Sequence, residues 1–470
     1  MSRIVRVLRL RKFGALFPWL LLVSCGGGGD GTASEPSPAP TPPPAISPPT
    51  LMPQGVAVVK FRASGDGWAA LTERLRRIED KTAPDRRLLL AAAGHQPATE
   101  IDPPSGWSLI DFALHPSGAL TLVLASDKQL RLQERASTGD LIQDSIFTDD
   151  EAATDPFVGN EQTLQDPQSL VPQSTRDAVE LAPLGEDVLI AYRTGRNAVV
   201  AQRLTFGAGN TFQRRWRTVV EPGVEIQWVR LTSGTFDPFE SLDNQWHLVL
   251  DVDSQGRSAI AVRVGGTDIV AGHEQYFGEP VDPALVNGAI VTRLDANGAR
   301  LGATSLNTTE LSEVHAVRWS GDSILVAGRV RTSDSADGGG WDGFVASVAS
   351  DNTVARLQVL DFDRGDAVLD IAVLSDGRIA IAGAAGYTQN PTGASISEDS
   401  QPLLAILPSL GTPPQRVPLT AGSRQNQVRT ASPWQGQLVI GGMVNGPGTH
   451  SGDSDPSLLM SDGFLHTQTP

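Results

Sequence analysis

The chain has almost no cysteine. Cys25 is the single cysteine among 470 residues, so the sequence supports neither a disulfide framework nor a metal site built from thiolates. The folded body must therefore be held together by the burial of apolar side chains, and a chain of this length can bury a large core.

Basic residues are also scarce. Lysine and arginine together number 37 against 53 aspartates and glutamates, which gives a formal charge of −16. Such a protein has no basic surface with which to displace the counterions of a nucleic-acid backbone. It is not attracted electrostatically to anionic lipid either. We therefore expect no nucleic-acid partner.

The familiar catalytic signatures are missing as well. The chain contains neither a Gly-x-Ser-x-Gly nucleophile elbow nor a His-Glu-x-x-His zinc motif, and its seven histidines do not pair at ligand spacing. Gly-Asp-Ser occurs at 321–323 and 452–454, and we interpret the first copy as a hairpin turn. No residue is predicted to be catalytic, although distant side chains can converge in a repeat fold.

The chain has no long apolar run, and the apolar run near its N-terminus is short. A basic segment precedes the apolar residues 13–23, which end in Leu22-Val23-Ser24-Cys25. A membrane span needs about 20 apolar residues, so this order is typical of an export signal instead. The last four residues resemble the lipobox of bacterial lipoproteins. The resemblance implies a signal peptide at 1–24, acylation of Cys25 and attachment to a lipid bilayer, and Gly26 implies the outer membrane.

Residues 25–54 are predicted to be the lipidated cysteine followed by a linker. Glycines at 26–29 lead into prolines interleaved with Ser, Thr and Ala, a composition that cannot bury enough apolar surface to fold. Proline-rich chains extend by about 3.1 Å per residue, so the disordered linker would reach up to roughly 85 Å. We expect it to space the body from the membrane.

Residues 55–470 are predicted to be all-β. The exception is 68–81, where apolar residues at helical spacing predict a surface helix. Elsewhere short apolar runs are separated by turn residues, and a unit of strand, tight turn and strand recurs. The clearest copy covers 366–383, with the hairpin signal Asp376-Gly377. Related copies cover 109–125, 178–192, 314–328 and 428–442.

A third apolar strand follows each copy after a variable segment. Just before it stands a polar residue that can hydrogen-bond its own backbone and close the loop. These predicted structural caps are Asp127, Asn197, Asn287, Asp342, Gln401 and Asp455. Fourth strands are predicted at 300–306, 354–360 and 416–420.

Four-stranded units repeated about six times are typical of a β-propeller. The segments 338–348 and 375–383 resemble the SBBP-type bacterial β-propeller repeat, and the resemblance is clearest over 310–465. It implies a propeller of six or seven blades. Three apolar runs within 224–264 are the candidate for a seventh blade. The strand at 56–61 is the candidate for closing the ring by completing the last blade.

Calcium is the one inorganic cofactor that the residues suggest; otherwise none is expected. Asp251 and Asp253 stand at alternate positions before the turn residue Gly256, and carboxylate oxygens suit this hard cation. Val262 occupies the position of the glutamate that completes an EF-hand loop. The same residues therefore also fit an ordinary hairpin turn.

Three functions stay open at this point. The first is a non-enzymatic lipoprotein whose propeller binds a protein or polysaccharide partner at the cell envelope, although a fold is a weak guide to activity. The second is an enzyme acting on envelope or extracellular polysaccharide, with acidic side chains converging on the central channel. The third is an adhesion module stabilised by calcium. The tryptophans beyond the signal are interpreted as packing between blades.

Overall fold

The structure is a computed structural model. The residues that it describes are 50–54, 56–74, 85–91, 99–126, 129–158, 179–196, 198–207, 211–224, 248–265, 287–306, 312–331, 341–363, 365–386, 400–419, 425–446 and 462–469. They belong to one compact unit, Ser47–Pro470. The predicted signal peptide, Cys25 and most of the predicted linker lie outside the described residues.

Nearly all described residues lie in antiparallel four-stranded sheets or the turns between their strands. The first half of the chain contains β1 (Thr50–Gln54), β2 (Val56–Ser64), β3 (Gly67–Arg74), β4 (Asp85–Ala91), β5 (Thr99–Ile101), β6 (Ser108–Leu114), β7 (Leu120–Ala125), β8 (Leu130–Arg135), β9 (Leu141–Phe147), the 3₁₀ helix Ala152–Thr154, β10 (Phe157–Val158), β11 (Val179–Leu184), β12 (Asp187–Arg193), β13 (Val199–Gly207), β14 (Thr211–Glu221) and β15 (Gly223–Val224).

The second half continues the same arrangement. It contains β16 (Leu248–Val252), β17 (Ser258–Gly265), β18 (Asn287–Leu294), β19 (Arg300–Leu306), β20 (Ser312–Ser320), β21 (Ser323–Arg331), β22 (Trp341–Val348), β23 (Val354–Leu360), β24 (Asp366–Val373), β25 (Ile379–Ala385), β26 (Gln401–Leu407), β27 (Gln415–Arg416), β28 (Gln425–Trp434), β29 (Gln437–Gly446) and β30 (Asp462–Gln468).

These strands form a propeller of seven blades. Blades 1 to 6 are β2–β5, β6–β9, β11–β14, β16–β19, β20–β23 and β24–β27, and blade 7 is β28–β30 together with β1; β10 and β15 form a separate parallel pair. One parallel bridge, between Val56 of β2 and Asp462 of β30, joins blade 1 to blade 7. First strands of successive blades contact one another, so they surround the central channel. The all-β propeller predicted from the repeats is confirmed, with seven blades.

The N-terminal strand β1 closes the ring. It pairs antiparallel with β30, with Thr50 opposite Leu465. The prediction that 56–61 completes the last blade is wrong, because β2 is the first strand of blade 1. The propeller therefore begins at Thr50, inside the predicted linker 25–54. Pro53 obscured this strand in the sequence; a proline without an N–H is tolerated on an outer strand at a register shift, and the pairing shifts between Leu51 and Gln54.

The predicted helix at 68–81 is also wrong where the structure describes it. Residues 67–74 form β3, which is buried on both faces: Ala69 and Leu71 pack between blades 1 and 2, while Ala70 lies with Phe61 on the other side. A strand buried on both faces shows no alternation of apolar and polar residues, so its period is ambiguous. No helix among the described residues has the length and apolar character needed to cross a membrane.

The blade that the sequence missed is blade 1, at the N-terminal end of the propeller, and it does not lie within 224–264. That stretch supplies β15 to β17, and β16 and β17 belong to blade 4. Blade 1 is formed by β2–β5, the region in which the sequence predicted only a lone strand and a helix. All five predicted strand–turn–strand units are present, and the fourth strands at 300–306 and 354–360 are confirmed. The fourth strand predicted at 416–420 is instead the short β27 at Gln415–Arg416.

A bulge in the first strand explains the glycine that ends several repeats. In blades 1, 2, 5, 6 and 7 the pairing of the first with the second strand shifts by one residue. In blade 6 this brings Gly383 so close to the first strand that an added Cβ would lie 2.0 Å from the carbonyl oxygen of Ala367. Gly328 and Gly442 are equally constrained in blades 5 and 7, so only glycine fits there.

The two ends of the propeller differ. First and second strands are joined by tight turns at the end that we call the short-connection end; the turns lie at 65–66, 115–119, 185–186, 253–257, 321–322, 374–378 and 435–436. Connections from second to third strands and from blade to blade leave the opposite, long-connection end. Long stretches of sequence separate the strand ends there, namely 159–178, 225–247, 266–286, 332–340, 387–399 and 447–461, and all of them lie outside the described residues.

Candidate functional site in the central channel

Charged side chains of the first strands converge on the central channel. Lys60, Asp111 and Asp370 follow the bulge directly in blades 1, 2 and 6, so they occupy one register position. Arg62 and Arg318 lie two residues beyond that position in blades 1 and 5. Because the first strands surround the axis, these side chains meet although they are far apart in sequence.

Three carboxylates connect one blade to the backbone of the next. Asp111 of blade 2 accepts a hydrogen bond from the N–H of Leu181 in blade 3 at 2.7 Å. Asp251 of blade 4 accepts one from the N–H of Trp319 in blade 5 at 2.8 Å. Asp370 does the same between blades 6 and 7. Each bond satisfies a backbone donor that faces the channel, where no further strand can pair with it.

The cations of the channel differ in how they are paired. Lys60 Nζ lies 2.7 Å from Asp111 and 3.2 Å from Glu180. Arg318 donates to Asp370 at 2.5 Å and to the carbonyl of Val317. Arg62 has no carboxylate partner among the described residues, and its guanidinium donates one hydrogen bond, to its neighbour's carbonyl oxygen at 2.8 Å.

The electrostatic environment shows that these groups share one space. Burial lowers the pKa of Arg62 and the nearby Arg318 lowers it further, whereas Asp370, Asp111 and Asp251 act in the opposite sense. Arg62 is therefore influenced by blades 2, 4, 5 and 6 together. Burial raises the pKa of Asp251, and Arg318 and the N–H of Trp319 partly offset this effect.

The sequence did not predict this group of residues. The signal was present, since Asp111 and Asp370 interrupt otherwise apolar first strands, Leu-Ile-Asp-Phe-Ala and Val-Leu-Asp-Ile-Ala. The polysaccharide-enzyme hypothesis did predict acidic side chains in the channel. Asp111, Asp251 and Asp370 do lie there. Each accepts a hydrogen bond from the backbone of the next blade, so a structural role accounts for their presence without catalysis.

The two residues of the predicted calcium site have different protein partners. Asp251 lies in the channel, whereas Asp253 begins the turn after β16 and accepts bonds from the backbone N–H groups of Gln255 and Arg257. Arg257 Nε also lies 2.6 Å from Asp253. Calcium at this position stays a prediction. Calorimetry with and without EDTA tests it, and an unchanged melting temperature would contradict it.

Another acidic group lies at the long-connection end of blades 5 and 6. Asp342, Asp361 and Asp366 each place one carboxylate oxygen within 4.8 Å of the others, and no other such group of three occurs among the described His, Cys, Asp and Glu residues. Burial raises the pKa of Asp366 to about 6; backbone N–H groups, including that of Gly386, oppose the rise, and Asp342 adds to it. These oxygens have the chemistry that a hard cation requires.

The predicted caps are only partly described. Asn287 and Gln401 are the first residues of β18 and β26, and Asp342 is the second residue of β22. Asp127, Asn197 and Asp455 lie outside the described residues. Their role in closing the preceding segment stays a prediction.

Tryptophans in the described residues make contacts between blades. The Trp216 indole donates to the carbonyl of Ala296 in blade 4 at 3.1 Å, and the Trp434 indole donates to the carbonyl of Gly65 in blade 1 at 3.0 Å. The guanidinium of Arg257 lies 4.5 Å from the Trp319 ring centre. These contacts agree with the interpretation of tryptophan as packing between blades.

The arrangement defines a seven-bladed β-propeller with a charged channel. No family model and no curated protein matches the chain. Among solved structures it is similar to YCF48 bound to a D1 peptide (9% identity over 89% of this chain and 96% of that chain, TM-score 0.43). It is also similar to the Dos1 propeller, with 8% identity over 89% of this chain and 95% of that chain and a TM-score of 0.45. The propeller domain of the Trilobed protease from Pyrococcus furiosus is similar with 7% identity over 83% of this chain and 90% of that chain, and a TM-score of 0.42. At such identities the similarity concerns the fold alone.

Proposed function

We propose that the chain is a bacterial lipoprotein whose propeller, built from SBBP-type repeats, binds a protein or polysaccharide partner at the outer membrane. The order of basic segment, short apolar stretch and lipobox supports acylation of Cys25. Two or more acyl chains hold a protein stably on a bilayer, whereas one does so only marginally. The acidic charge of the chain makes such an anchor necessary for membrane association.

The observation that carries the binding role is the difference between the two ends of the propeller. Tight turns join first to second strands at the short-connection end, whereas long stretches of sequence separate the strand ends at the long-connection end. Segments of this kind commonly form binding surfaces on a rigid scaffold. Because β1 is the fourth strand of its blade, the chain before Thr50 joins the propeller at the short-connection end.

Membrane fractionation tests the anchor. The wild-type chain is expected in the membrane fraction, and Cys25→Ala in the soluble fraction at similar abundance. A matched control, the double variant Cys25→Ala with Ser37→Cys, restores a thiol outside the lipobox and is expected to stay soluble. Identical partitioning of the wild type and Cys25→Ala would contradict the proposal.

The binding role has its own test. Chemical cross-linking on intact cells is expected to join the wild-type propeller to the same partner reproducibly. Replacing 387–399 by a short Gly-Ser segment should reduce this product, whereas changing the exposed turn residue Asp376 at the opposite end should not. If the first change left the cross-linked product unaffected and the second abolished it, the binding surface would lie at the short-connection end, which would contradict the proposal.

A further inference from the structure

Arg62 is the cation of the channel whose hydrogen-bonding capacity is least used. A guanidinium has five N–H donors, and among the described residues that of Arg62 makes one hydrogen bond, from Nη1 to the carbonyl of Phe61. Its side chain is half-buried. A desolvated cation without a paired anion is costly, and proteins usually pair such a group.

Two of the acidic groups nearby, Asp370 and Asp111, are already engaged. Asp370 accepts from Arg318, from the hydroxyl of Thr430 and from the N–H groups of Ile371 and Ala431. Asp111 is held in a comparable way by Lys60 and by the backbone of blade 3. Arg62 therefore has N–H donors that are not used within the described residues, whereas the buried carboxylates of Asp111 and Asp370 already accept hydrogen bonds from other groups.

A second arginine lies at the equivalent position across the channel. Arg318 is displaced from its bulge by the same two residues as Arg62, and the two guanidinium groups repel one another. In blades 2, 6 and 7 this register position holds Ala113, Ala372 and Ser432. In the five blades that have the bulge, Arg62 and Arg318 are therefore the long side chains at this level.

We propose that the central channel contains a carboxylate-binding site, in which Arg62 contacts the ligand and Arg318 contributes positive charge. The planar guanidinium fork matches the two oxygens of a carboxylate. Asp111, Asp251 and Asp370 surround the site, so a singly charged anion meets less repulsion than phosphate would. The proposal goes beyond the membrane-anchored role and does not depend on it.

Thermal unfolding of the full chain in detergent tests the site. Titrations with acetate, with a short N-acetylated peptide that ends in a free carboxylate, with its C-terminal amide and with inorganic phosphate are run at constant ionic strength in chloride. A ligand that binds only the folded state raises the unfolding midpoint saturably, and the dependence on concentration gives its affinity. We expect a saturable rise with acetate or the carboxylate peptide, and none with the amide.

The arms distinguish the sources of the carboxylate. Similar affinities for acetate and the peptide indicate a free small carboxylate, and a much higher affinity for the peptide indicates a polypeptide end or side chain; either result supports the site. No saturable shift with either probe, or tighter binding of phosphate, would overturn the proposal. Running the titration on Cys25→Ala separates its outcome from that of the anchor.

Variants assign the site to Arg62. Arg62→Gln is expected to weaken carboxylate binding by about tenfold or more, the usual worth of a charge-assisted bidentate contact. Arg62→Lys keeps the charge but not the fork and is expected to weaken it less. The matched control, Arg378→Gln, removes one positive charge from an exposed turn and should bind as the wild type does. If Arg62→Gln fails to fold, unchanged affinity in Arg62→Lys together with binding of the amide would refute the site.

Discussion

Asp370 in blade 6 accepts a hydrogen bond from the backbone N–H of Ala431 in blade 7 at 3.0 Å. Asp111 and Asp251 form the equivalent bond from blades 2 and 4 to the blades that follow them. The channel carboxylates are therefore part of what holds adjacent blades together. In a chain without a disulfide, these bonds supplement the pairing of β1 with β30 and the apolar packing between blades.

Removing the Asp370 carboxylate should be strongly destabilising. Asp370→Ala leaves the half-buried Arg318 and the N–H of Ala431 without their acceptor, and loss of one partner of a buried pair costs about 3–5 kcal/mol. Urea unfolding followed by tryptophan fluorescence measures the change. Asp376→Ala removes a carboxylate from the exposed turn of the same blade and should have a much smaller effect. Equal effects would contradict the role given to Asp370.

Gly383 should tolerate no side chain. In Gly383→Ala the new Cβ would meet the carbonyl oxygen of Ala367 at 2.0 Å, so the bulged strand must shift, at a cost of roughly 2–3 kcal/mol or more. Gly377 is the control, because its φ is +85° but nothing lies within 4 Å of its added Cβ. Gly377→Ala should cost about 1 kcal/mol from backbone strain alone. If Gly383→Ala lost less stability than Gly377→Ala, the two strands of blade 6 could move apart at Gly383, and the role given to this glycine would be wrong.

The N-terminal strand should contribute to stability although it lies within a proline-rich segment. Deleting residues 50–54 leaves the edge of β30 unpaired, and exposed edges promote aggregation. We expect a lower midpoint of thermal unfolding and light scattering on heating. Deleting 30–45, which is predicted to be linker, should leave the midpoint unchanged. The closure would be refuted if the two deletions behaved alike.

The acidic group around Asp366 should make stability depend on pH. The folded-state pKa of Asp366 is about 6, raised from the model-peptide value of 3.8, so the folded state holds the proton more tightly than the unfolded chain does. Its contribution to the free energy of unfolding is then greatest below about pH 4, falls as the pH rises to about 6 and is constant above; the fall is about 3 kcal/mol at most.

Asp342→Asn tests the origin of that dependence. It removes one negative charge near Asp366, so the pKa of Asp366 should fall and the loss of stability between pH 4 and pH 6 should shrink. Denaturant unfolding at several pH values measures the difference. Asp140→Asn, a matched change in an exposed turn of blade 2, should leave the dependence of the free energy of unfolding on pH unchanged. A steeper slope in Asp342→Asn would contradict the assignment.

The repeat units made the propeller predictable, because a hairpin signal such as Asp376-Gly377 is local. The blade count depended on regions without such signals. β3 is buried on both faces and gives no strand period, and β1 is hidden by Pro53. The channel was not predictable for another reason: Arg62 and Arg318 are brought together by ring closure, and neither has a local motif. The group of Asp342, Asp361 and Asp366 likewise requires two blades to be placed side by side.

The intact mass of the protein purified from membranes tests the proposed function most directly. We expect a mature chain that begins at Cys25 and carries a diacylglyceryl group on its thiol and an acyl chain on its amino group. The increment should be absent from Cys25→Ala. A mature chain that begins at another residue, or one that begins at Cys25 without added lipid, would contradict it.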